Sequence, residues 1–77
     1  MDYEKFYKEV VNWIYEANSN ASKFGFQSDI YWKWVIDSVA EICERHNNND
    51  LVNKQMTMLV NWLTDLYNQQ KGNQVAN

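Results

Sequence analysis

Proline is absent from this chain, glycine occurs twice, and cysteine, histidine and arginine occur once each. Without proline, and with Gly25 and Gly72 far apart, long stretches can stay helical with no forced break. A single cysteine, Cys43, excludes an internal disulfide and leaves no second thiol for a metal motif. No glycine-rich phosphate loop can be drawn from two isolated glycines. Seven basic side chains stand against ten acidic ones, for a net charge of −3, and no Lys/Arg run occurs. Binding phosphates requires clustered positive charge, so nucleic-acid binding is disfavoured. The carboxylates are themselves too scattered to imitate a nucleic acid. No apolar run approaches the length of about eighteen residues that a membrane span needs. The N-terminal stretch MDYEKFYKE is charged, unlike a secretory leader, so a cytoplasmic location is expected.

What the chain does have is rings and asparagine. Its 77 residues are 45% hydrophobic and 16% aromatic, too apolar for disorder and enough for one small domain. Eleven Asn, six Lys and five Tyr against four Ala and a single Arg suggest an AT-rich genome, such as a low-GC bacterium or its phages.

Hydrophobic periodicity predicts three helices, at roughly 2–20, 29–46 and 50–69, and nowhere alternates with period two. In the first, Tyr3, Tyr7, Val10, Ile14, Ala17 and Ala21 are spaced as one face. Trp32, Val35, Val39, Ile42 and His46 mark the second, with Tyr31, Ile36, Ala40 and Cys43 alongside. Val52, Met56, Leu59, Leu63 and Leu66 mark the third. Asp2, then Ser28 or Asp29, then Asn49 or Asp50 are the expected N-caps, and Asn47, Asn48 and Asn49 can take the left-handed conformation that ends a helix. The expected fold is therefore all-α, a small antiparallel three-helix bundle in a domain at 1–70, followed by a flexible polar tail at 71–77.

The densest run of rings is KFGFQSDIYWKW at 23–34. Gly25 permits a turn that lets Phe24 and Phe26 fold over the end of the bundle. Trp32 projects into the helix 2 core, whereas Trp34 projects among Lys33, Asp37, Ser38, Glu41 and Arg45. A tryptophan on a polar face suggests a contact surface, so Trp34, Glu41 and Arg45 are the candidate partner-binding residues. Trp34→Ala is then expected to weaken association and spare the fold. Helix 3 carries a second stripe of Leu51, Met58 and Trp62, a candidate for self-association as a homodimer or for a foreign partner.

Chemistry has little to stand on. His46 is read as a helix C-terminal residue, and Cys43 as an inert core thiol. Glu41 and Arg45 form an acid-before-base i, i+4 pair on a solvated face. No catalytic residue, cofactor site or metal site is expected. The sequence reads as a non-enzymatic protein-binding module, with a phage or mobile-element inhibitor or adaptor that occludes a host or defence protein, such as an anti-CRISPR, as its specific form. The alternatives are a small DNA-binding regulator and a purely structural oligomerising protein.

Overall fold

A computed structural model describes the backbone of residues 1–75 and the side chains of residues 1–70. Three helices follow one another, α1 Tyr3–Phe24, α2 Asp29–Arg45 and α3 Asp50–Val75. The fold class is the expected one, an all-α three-helix bundle, and no strand occurs among the described residues. The chain separates into two compact units, Met1–Val35 and Ile36–Asn77, with the division falling inside α2.

Local chemistry accounts for the ends. The Asp2 carboxylate accepts from the Lys5 amide at 3.0 Å and opens α1. α1 runs four residues past its expected end, because nothing breaks it before Gly25. That glycine takes φ +84, in the region that penalises a Cβ, and its amide donates to Ala21 O at 2.8 Å. The connection to α2 shrinks accordingly to residues 25–28. Ser28 caps α2, its Oγ accepting from the Ile30 amide at 3.2 Å. α2 closes with Asn48 N donating to Cys43 O at 2.8 Å and Asn47 N to Glu44 O at 3.0 Å. These two bonds form a Schellman closure, with Asn47 at φ +55 in the left-handed position. Asn49 caps α3 through its side chain, 2.9 Å from the Leu51 amide.

α3 continues as helix through Val75 rather than ending near 69, so much of the expected flexible tail has helical backbone. A lone glycine costs a helix only about 1 kcal/mol, and no proline is present to end it. The remainder of the expected tail, residues 76–77, lies outside the described residues.

The buried faces differ from the projected ones in α1 and α2. In α1 the buried residues are Phe6, Val10, Trp13 and Ala17, while Tyr3 and Tyr7, expected in the core, are exposed. In α2 Tyr31, Val35 and Ile42 are buried, but Ile36 is exposed, and so is Ala40. Both faces are turned by roughly 50° to 60° from the projected ones, at 100° per residue. The turn brings inward the residues with the largest apolar area: Phe6 and Trp13 carry no hydroxyl to keep wet, whereas Tyr3 and Tyr7 do. α3 needs no such correction. Val52, Met56, Leu59 and Leu63 are all buried, in the expected 4, 3, 4 register.

Candidate functional site

Three rings of the Met1–Val35 unit, Phe26, Trp32 and Trp34, converge on Tyr31. Its side chain is fully buried, edge-on to Phe26 and to Trp32 at centroid distances of 5.4 Å each. Trp32 is half-buried rather than deep in the core, and its Nε1–H donates to the Phe26 carbonyl at 2.6 Å. Trp34 stacks on Trp13 at 5.5 Å with the planes 16° apart, and tilts against Tyr31 at 6.1 Å. It is half-buried, not an exposed ring on a polar face, and this removes the reason for assigning it to a partner surface. Phe26 joins the cluster as expected, but Phe24 stays exposed at the last turn of α1 with the Lys23 ammonium 5.4 Å from its ring centre.

The Tyr31 hydroxyl is buried without a hydrogen-bond partner. Leaving a hydroxyl dry and unpaired costs about 1 to 3 kcal/mol, so Tyr31→Phe, which keeps the ring contacts, is expected to stabilise the protein. A gain near 1 kcal/mol corresponds to about 4 to 8 °C in Tm for a chain of this size. Burial also pushes the Tyr31 phenol above its ordinary value of 10.0. The folded state therefore holds that proton after the unfolded state has released it. The stabilisation is complete below pH 10 and is lost as pH rises through the folded value. Burial of Cys43 adds a loss of the same sign from above 9.0. Thermal melts at neutral and alkaline pH check both points: Tyr31→Phe should melt higher and lose less on going alkaline. A lower Tm would show that the hydroxyl is satisfied.

Glu41 and Arg45 are brought together as expected, 3.7 Å apart on an exposed turn of α2. Such a pair contributes only a few tenths of a kcal/mol, roughly. Cys43 is half-buried with its thiol pushed up by burial, so at neutral pH it is not a ready nucleophile. Among the described residues no three His, Cys, Asp or Glu side chains gather where they could hold a metal ion. No helix of the described residues is long and apolar enough to cross a membrane.

The second stripe of α3 does lie at the surface. Met58 is 52% exposed, with Leu51 at 38% and Trp62 at 36%. Asn53, Lys54, Thr57, Met58 and Asn61 line a shallow open groove of about 360 Å³ along its polar flank.

The chain matches no protein-family model, no curated protein and no solved structure. Tyr3, Tyr7, Val11 and Tyr15 succeed one another every four residues along the outer side of α1, all exposed, and two of them, Tyr3 and Tyr7, are residues that periodicity assigns to the core. The signal was present in the sequence, because Phe6, Val10, Trp13 and Ala17 repeat with the same 4, 3, 4 spacing as Tyr3, Tyr7, Val10 and Ile14 and hold the two larger hydroxyl-free rings. Choosing the heavier row for the core leaves the tyrosines outside.

Proposed function

We propose that this protein is a non-enzymatic binding module that grips a protein partner through the outer face of α1. The supporting observation is the exposed row of Tyr3, Tyr7, Val11 and Tyr15, with Tyr3 and Tyr15 at 60% and 70% exposure. Tyrosine offers a large flat contact area and a hydroxyl that is content in water or against a partner, and it loses little conformational entropy on ordering. Three tyrosines and a valine over about three turns of one helix are more than a monomer needs at its surface, in a chain whose core is this small. The DNA-binding reading gains nothing from the surface, since the outer side of α3 offers Lys54 between Asp50 and Asp65. Occlusion of a host or defence protein by a phage-encoded chain is the specific form that the composition favours.

The test pairs Tyr7→Glu and Tyr15→Glu in one variant. Both positions are exposed, so its thermal melt should stay within a few degrees of wild type. Tagged wild-type protein and the double variant are each used to capture partners from the native host. A protein held by wild type and by Trp62→Glu, but lost by the tyrosine variant, is the expected result. Retention by the tyrosine variant would refute the assignment to α1.

A further inference from the structure

The second exposed stripe, on α3, has a property that α1 lacks: it is complementary to itself. Leu51, Gln55, Met58 and Trp62 follow one another at 4, 3, 4, the spacing of a coiled-coil seam. Its apolar members are exposed and Gln55 lies at the edge of the buried face. Lys54 and Asp65 both stand on the flank of this seam away from the core, within about 20° of each other at 100° per residue. Both are exposed. We infer that two copies of the chain associate by pairing this face of α3 antiparallel about a two-fold axis at residue 60.

The register follows from the seam. A two-fold at residue 60 sets each Met58 level with Trp62 of the other copy, so a thioether meets an indole twice in the central layers. Gln55 lies level with Asp65 of the other copy. An antiparallel two-fold keeps each flank facing the same flank of its mate. Lys54 therefore meets Asp65 of the other copy, displaced along the axis by a single residue, about 1.5 Å. This contact also occurs twice. The Lys54 ammonium already lies 3.0 Å from Asp50 and remains 77% exposed, which leaves donors for a second carboxylate. A parallel pair would turn Lys54 toward the opposite flank, where Gln55 and Leu59 offer it no charge. Two-fold symmetry thus selects the antiparallel arrangement, in which one patch satisfies itself. The α1 row is a different surface, so either assignment can fail without the other.

Reversing the charges tests the register directly. Mass is measured by light scattering across a concentration series, under reducing conditions because of Cys43, for wild type, Trp62→Glu, Lys54→Asp and Asp65→Lys. Wild type should dimerise, and Trp62→Glu should be a folded monomer. Each charge reversal replaces two attractive contacts by two repulsive ones and should raise Kd roughly tenfold or more. Mixing Lys54→Asp with Asp65→Lys restores both contacts, so a heterodimer should form and be visible by native mass spectrometry. Should either reversal disturb folding, the neutral variants Lys54→Gln and Asp65→Asn replace them, each expected to weaken dimerisation. A monomeric wild type, including one that gives this stripe to a foreign protein instead, would overturn the inference. So would a dimer that survives Trp62→Glu, or a mixture of reversals no tighter than its components.

Discussion

Trp13→Ala is expected to cost about 3 to 5 kcal/mol and leave much of the protein unfolded at room temperature. The indole is only 3% exposed, and its face is covered by Trp34 in a near-parallel stack. Truncation removes the largest apolar side chain from the buried face of α1 and leaves Trp34 without the ring it stacks on, in ring contact with Tyr31 alone among the described residues. A chain of this length has little stability in reserve, so a loss of that size takes most of it. Trp34→Ala should also destabilise, by about 1 to 3 kcal/mol, less because the ring is half-buried. This reverses the expectation from helical projection, under which Trp34 was dispensable to the fold. The two losses should not add: ring pairs of this kind couple by about 0.5 to 1.5 kcal/mol in a double-mutant cycle. Urea titrations of both single variants and the double variant supply the measurement. A Trp34→Ala midpoint equal to wild type would return that ring to the surface and undo the stack.

Leu63→Ala should cost about 2 to 5 kcal/mol, whereas Trp62→Ala, one residue earlier, should cost less than about 1. The larger side chain matters less to the fold because of where the helix points it. Leu63 is 1% exposed in the seam with Val52, Met56 and Leu59, and Trp62 lies about 100° round the helix on the open stripe. Truncating Leu63 leaves a cavity that the close-packed seam cannot fully collapse. Truncating Trp62 removes area that is already partly wet, and its effect should appear in dimerisation rather than in the melt. Equal destabilisation by the two variants, measured at a concentration where wild type is monomeric, would mean that the stripe is part of the core.

The sequence by itself determined the number of helices and the α3 seam, and narrowed each N-cap to one or two residues. Those features depend on neighbours in the chain: Asp2, Ser28 and Asn49 bond amides two or three residues away, and Asn47 reverses the chain at its own φ. The α3 seam was legible because it has no apolar rival of equal weight on that helix. α1 and α2 each offered two candidate faces, and periodicity alone cannot rank them. Tertiary packing decided the choice by burying Phe6 and Trp13 instead of Tyr3 and Tyr7, and by stacking Trp34 on Trp13 while Ile36 was left outside. A helix can roll by half a residue's angular step and keep its periodicity, but only one roll brings two indoles face to face. Which aromatic side chains remain available to a partner therefore depends on a contact between residues 21 positions apart in the chain, Trp13 and Trp34, that no local pattern records.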